Sequence, residues 1–97
     1  MFEGVLPAII TPFKRNSAMS LDIPGLESNI GFLLSCGIHG IVPCGSTGES
    51  ATLTFEEHEK VIKVTVGKVN GKIPVLAGSG SNNTAEAVRL TKAAKDI

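Results

Sequence analysis

Three short apolar runs, each leading through small or polar residues into a helix-start signal, constrain this chain more tightly than anything else in it. The runs are Val5-Leu6-Pro7-Ala8-Ile9-Ile10, Ile38 to Cys44, and Ile73-Pro74-Val75-Leu76-Ala77. Nearly continuous rather than alternating, they predict strands buried on both faces. Pro7 suits a strand start or an edge better than the middle of a sheet. The helix starts are equally legible. Asp22 ahead of Pro24 supplies a cap and a first-turn proline. Thr54-Phe55-Glu56-Glu57 matches a capping box, with acidic residues at the positive end of the helix dipole. Asn83 stands three residues before Glu86. The first helix carries Leu26, Ile30, Leu33 and Leu34 on one face and stops at Gly37, where a left-handed residue is wanted. In the second, the β-branched stretch 61–66 favours strand by propensity. Val61, Ile62, Val66 and Val69 nevertheless lie close to helical spacing behind a cap, which predicts helix up to Asn70-Gly71. The third carries Val88, Leu90, Thr91 and Ala94. Strand and helix thus alternate three times in units on the order of 30 residues, the size of a βαβ step. The expected class is α/β, with a parallel sheet and right-handed crossovers.

Sites in such folds gather at the C-terminal ends of the strands, where Thr11, residues 45–50 and residues 78–81 all fall. Gly45-Ser46-Thr47-Gly48-Glu49-Ser50 is the stretch that builds a site. Its two glycines allow tight turns and close backbone approach, and its adjacent hydroxyls donate and accept beside them, which suits a small anion such as a carboxylate. Other readings fail on spacing. A P-loop needs Gly-Lys-Ser/Thr, and Gly48 is followed by Glu49-Ser50. A dinucleotide fingerprint needs a third glycine where Asn83 stands. A nucleophile elbow needs glycine at Cys44, and His58-Glu59 lacks the second histidine of a zinc protease. Glu49 is a candidate general base or a carboxylate that locks the loop. His39 reads as a surface or capping residue, Asn82 and Asn83 as turn and cap residues, and Lys14 as a solvated loop lysine. From the residues alone, the chain is an α/β unit with a small-anion site.

Composition narrows the partners. Of 97 residues, nine Lys+Arg balance nine Asp+Glu, and there are four Phe but no Trp or Tyr. Without a basic cluster or a stacking platform, nucleic acid is not an expected partner. No run reaches membrane-span length and the N-terminus lacks the pattern of a signal peptide, so a cytoplasmic protein is expected. Cys36 and Cys44 are too few for a disulfide framework or a zinc site and read as small buried hydrophobes, with a reactive thiol at Cys44 as the exception to test. With no Gly or Pro closing the third helix, the sequence reads as a cut chain.

Ala8-Ile9-Ile10-Thr11-Pro12-Phe13, Gly45 to Ser50, Glu56-Glu57-His58 and Ala77-Gly78-Ser79-Gly80-Ser81-Asn82 together resemble, in order and spacing, the N-terminal third of the dihydrodipicolinate synthase and N-acetylneuraminate lyase family. Members of that family are (β/α)8 barrels of about 250 residues or more. The resemblance implies that residues 1–97 are the first three βα units of one TIM-barrel domain, truncated. It implies a class I aldolase that holds pyruvate as a Schiff base on a lysine of the sixth strand, with no separate cofactor and no metal. In the synthase branch the enamine attacks aspartate semialdehyde on the route to lysine. In the lyase branch the substrate is a sialic acid or a 2-keto-3-deoxy sugar acid. By the same resemblance, Thr47, Gly45 and Ala8 would bind substrate, and Ser46 would relay protons where synthases usually carry threonine. Ser50, Ala51, His58, Asn82 and Glu86 match positions that line an L-lysine effector pocket near a subunit interface. Phe55 departs from the histidine often found in inhibited enzymes. A homotetramer is implied for the parent. The relay tyrosines and the Schiff-base lysine have no counterpart here, so the isolated chain is expected to be inactive and prone to associate. A non-catalytic assembly module is the contrasting expectation.

Overall fold

A computed structural model of the chain describes residues 2–97. Its three α-helices begin where the caps place them. In α1 (Ile23–Ser35) the Asp22 carboxylate accepts from the Gly25 N–H at 3.0 Å, and Gly37 beyond its end has φ 77°. In α2 (Phe55–Val69) both arms of the capping box are made, Glu57 N–H to Thr54 Oγ1 at 3.1 Å and Thr54 N–H to Glu57 Oε1 at 2.9 Å. Asn70 and Gly71 then end it in left-handed conformation at φ 50° and 75°. In α3 (Thr84–Lys95) Asn83 Oδ1 accepts from the Glu86 N–H at 3.2 Å. Each such cap is worth about 1 kcal/mol. A short 3-10 turn, Ser50–Thr52, precedes α2.

The three apolar runs do lie side by side and parallel, in chain order, but none forms a strand among the described residues. Bridges form only at isolated residues, Ala8 with Val42 and Ile41 with Val75, and single hydrogen bonds lie beyond them, from His39 N–H to Val5 O and from Gly78 N–H to Pro43 O. Prolines account for this correction. Around the first bridge Val42 N–H donates to Pro7 O at 2.9 Å and Ile9 N–H to Val42 O at 3.1 Å. The next rung would need an N–H at position 7, which proline lacks. Around the second, Ile41 N–H donates to Pro74 O and Leu76 N–H to Ile41 O. Its flanking rungs would need N–H groups at 74 and 43, again prolines. Three prolines therefore sit where each ladder would have continued. At the other end of the second run, Cys44 turns left-handed at φ 59° and leaves the parallel path.

The period of two divides the layer into faces. Ile9 and Ile41 point to the helices and join Leu26, Ile30, Cys44, Val61, Ile62 and Val69 in the core. Ala8 and, two residues on, Ile10 take the opposite face with Leu76. There Ile10 remains 57% exposed and Leu76 45%, so the expectation of runs covered on both faces holds on the helix side alone. Cys36, expected inside, is exposed at the end of α1, one turn beyond exposed Phe32 and off the face that buries Leu26 and Ile30. On α3 only Leu90 is buried. The segment after the first run closes as a small antiparallel turn, with a bridge from Phe13 to Leu21 and a hydrogen bond from Lys14 N–H to Ser20 O at 2.7 Å.

Candidate active site

The loop at residues 45–50 is a series of turns that uses its own backbone. Gly45 O accepts from the N–H groups of Gly48 at 3.0 Å and Ser50 at 3.4 Å, and Ser46 O accepts from Glu49 at 3.0 Å. Those bonds engage Gly48, Glu49 and Ser50 but not the N–H groups of Ser46 and Thr47, the residues at the exposed crown. Both flanks are left-handed at non-glycine residues, Cys44 and Glu49, each with φ 59°. Such a conformation costs on the order of 1–3 kcal/mol and persists only where its surroundings impose it. The Glu49 side chain is exposed, and these main-chain bonds form without its carboxylate.

What imposes the loop comes from elsewhere in the chain. Thr11, only 4% exposed, donates its hydroxyl to Gly48 O at 2.7 Å, tying the end of the first run to the buried side of the loop. A Cβ at Gly48 would sit 3.1 Å from Ile9 O and 3.2 Å from Thr11 Oγ1, so a larger residue would force these neighbours to give by a few tenths of an ångström. The Cys44 thiol reaches His58 O at 3.6 Å. Burial pushes that thiol up to about 12, so it stays protonated and the reactive-cysteine alternative falls away. His58 itself is 2% exposed, and its Nε2 lies 2.6 Å from Gly78 O. A carbonyl can only accept, so Nε2 carries the proton.

A cleft of about 840 Å³ opens between this loop, the start of α2, the loop at 78–83 and α3. All five residues matched to an effector pocket line it: Ser50, Ala51, His58, Asn82 and Glu86. Gly45 and Ser46 form part of its wall, whereas Thr47 and Ala8 lie outside the lining. Glu86 accepts from Ser81 Oγ at 2.8 Å. Phe55, on another wall, stacks under the Arg89 guanidinium at 4.0 Å from the ring centre. That cation–π contact fastens α3 to α2. In the sequence Thr11 carries no assigned role, and His58 none from its own position. His58 was nonetheless legible, because it shares the buried face of α2 with Val61, Ile62, Thr65 and Val69 at i, i+3, i+4, i+7, i+11 spacing. His39 is exposed and its Nδ1 accepts from Val5 N–H at 2.9 Å, as a capping residue would. Among the described residues no group of three or more His, Cys, Asp or Glu is placed to hold a metal ion, and no helix is long and apolar enough to cross a membrane.

Helices packed on one side of three parallel extended segments, with two small-residue loops meeting at one end, define an α/β arrangement with its cleft at that end. The chain belongs to the dihydrodipicolinate synthetase family, which matches it over residues 1–97. It is 74% identical over 96 residues to the 4-hydroxy-tetrahydrodipicolinate synthase of Methanoculleus marisnigri, covering 99% of this chain and 33% of that protein. The solved dihydrodipicolinate synthase of Acinetobacter baumannii, described as complexed with pyruvate, superposes with a TM-score of 0.93 at 42% identity, over 99% of this chain and 32% of that one. The N-acetylneuraminate lyase of Mycoplasma synoviae superposes with a TM-score of 0.88 at 34% identity, over 98% of this chain and 32% of that one. The chain spans about a third of the length of the relatives it matches.

Proposed function

We propose that residues 1–97 are the N-terminal part of a single (β/α)8 barrel, contributing its first three βα units to a 4-hydroxy-tetrahydrodipicolinate synthase. In that role the loop at 45–50 cradles the carboxylate of pyruvate while a lysine from the remainder of the barrel forms the Schiff base. Thr47 contributes its N–H and hydroxyl, Gly45 its close backbone, and Ser46 a hydroxyl that accepts one proton while donating another. Ala8 borders the same space from the first run. The acceptor in this reading is aspartate semialdehyde. In this reading the 97-residue chain alone is inactive, because the Schiff-base lysine belongs to the sixth strand of the barrel and the chain supplies the first three βα units.

The observation that carries this reading is the 74% identity to a synthase over 96 residues, set against 34% to a neuraminate lyase. The Ser46-Thr47 pair favours a second reading, a lyase acting on sialic or 2-keto-3-deoxy sugar acids, since that branch commonly carries those two residues. A hybrid separates the two. Residues 1–97 are joined to the remaining two thirds of the Methanoculleus protein and treated with pyruvate and borohydride. A lysine that gains the mass of reduced pyruvate is expected, and no gain refutes the mechanism. Turnover of aspartate semialdehyde, but not of the sugar acids, then assigns the branch. A homotetrameric parent and L-lysine as occupant of the cleft at Ser50, Ala51, His58, Asn82 and Glu86 belong to the same proposal. Calorimetry of the hybrid with lysine tests the occupant.

A further inference from the structure

The loop at 78–81 lies directly against the loop at 45–50, and Gly78 is where they meet. Its N–H donates to Pro43 O at 2.9 Å, its carbonyl accepts from buried His58, and its Cα rests on the Cys44–Gly45 peptide. A Cβ at position 78 would collide with the Cys44 carbonyl and come within 3.0 Å of Gly45 N. The obstacle would be backbone on both counts, with no flexible side chain to swing aside. Gly78 does not have the positive φ that would by itself call for glycine, so its requirement is one of space. His58 meanwhile holds both partners. Its backbone carbonyl accepts the Cys44 thiol and its ring donates to Gly78, so one residue at the start of α2 fixes the entry to the first loop and the second loop pressed upon it.

We propose that Gly78 and His58 are positioning residues for the carboxylate cradle: the absent side chain at 78 lets the second loop seat on the Cys44–Gly45 peptide, and the His58 Nε2–H bond keeps it there. This explains how Cys44 is kept left-handed next to a turn whose crown is exposed. It also links a cleft-lining side chain to the peptide that begins the cradle, through one hydrogen bond to Gly78 and the packing of Gly78 on that peptide, so a ligand that moved His58 would move Gly45.

For its substrate readout the inference rests on the pyruvate reading, and the same hybrid tests it with Gly78→Ala, His58→Phe and His58→Gln. Gly78→Ala is expected to raise the pyruvate KM at least about tenfold. His58→Phe fills similar space without a donor and leaves the Gly78 carbonyl unpaired, for an expected rise of about tenfold. His58→Gln retains a donor and should return KM to within about threefold of the parent. A purely structural role would lower the melting temperature and leave KM in place. Equal KM values for the Phe and Gln variants overturn the proposal, and so does an unchanged KM in Gly78→Ala. If Gly78→Ala does not fold, the His58 pair decides. A second readout needs no catalysis: in ¹⁵N-glycine-labelled hybrid the Gly45 and Gly48 amide resonances should move in His58→Phe and return in His58→Gln. Resonances that stay put refute the positioning even if the hybrid takes no pyruvate, an outcome that by itself refutes only the function.

Discussion

The hydroxyl of Thr11 makes the firmest side-chain connection to the candidate cradle, and removing it has a calculable cost. Thr11→Val keeps the shape and β-branching of the side chain but leaves Gly48 O facing a methyl group in a site where Thr11 is only 4% exposed. A buried carbonyl stripped of its donor costs about 1–3 kcal/mol. Against a total stability of about 5–15 kcal/mol for an ordinary domain, that is a large share. Thr11→Ser is the control, since it keeps the donor and loses only a methyl, worth about 0.8 kcal/mol. Urea unfolding of the chain followed by circular dichroism measures both. With m near 1 kcal/mol/M for a chain of this size, the Val variant should unfold at about 1–3 M lower urea with m unchanged. The Ser variant should lie between it and the parent. A Val variant within about 0.5 kcal/mol of the parent, or more stable than the Ser variant, would refute the reasoning, because then the hydroxyl bond holds nothing that an apolar contact does not.

The two cysteines should separate cleanly under a thiol reagent: exposed Cys36 reacts in the native chain and Cys44 only after unfolding, and prompt labelling of both contradicts the burial described. Cys44 also sets a pH dependence. Its thiol is raised from 9.0 to about 12, so above pH 9 the unfolded chain loses this proton first, binds fewer protons than the folded one, and stability falls as pH climbs toward 12. The slope reaches at most about 1.4 kcal/mol per pH unit, and Cys44→Ala should abolish its share in parallel denaturation curves. Thr54→Ala should destabilise the chain by about 1 kcal/mol through loss of the α2 cap, visible as a lower melting temperature, whereas a neutral result denies the cap its role. The apolar face bearing Ala8, Ile10 and Leu76 should drive concentration-dependent association of the chain, and Ile10→Glu should weaken it in sedimentation velocity. An unsubstituted chain that stays monomeric across concentrations would count against that reading.

Much of the local structure was legible because its causes lie within a few residues. Asp22, Thr54 and Asn83 each reach a backbone N–H three positions on, and no distant contact can easily outbid that geometry. The stretch 61–66 shows the limit of propensity: its β-branched residues became helix because the cap and the 3.6-residue period agreed. The apolar runs show the limit of pattern. Their composition was right for parallel neighbours, yet whether a pair extends into a ladder depends on which N–H meets which carbonyl across the gap. That register placed Pro7, Pro43 and Pro74 where donors were needed.

By itself, then, the sequence determined the three helices with their starts and the ends of the first two, the small-residue loops, and the motifs by which the chain joins its family. The folded structure alone decided that Thr11, 37 residues away, anchors Gly48, that His58 is buried against Gly78, that Cys44 is sealed while Cys36 is not, and that two loops and two helices enclose one cleft. The division has a physical origin. Capping and helical period act within a turn or two of one segment, whereas burial and close approach arise only when segments some thirty residues apart are pressed together, and nothing in either segment alone records the meeting.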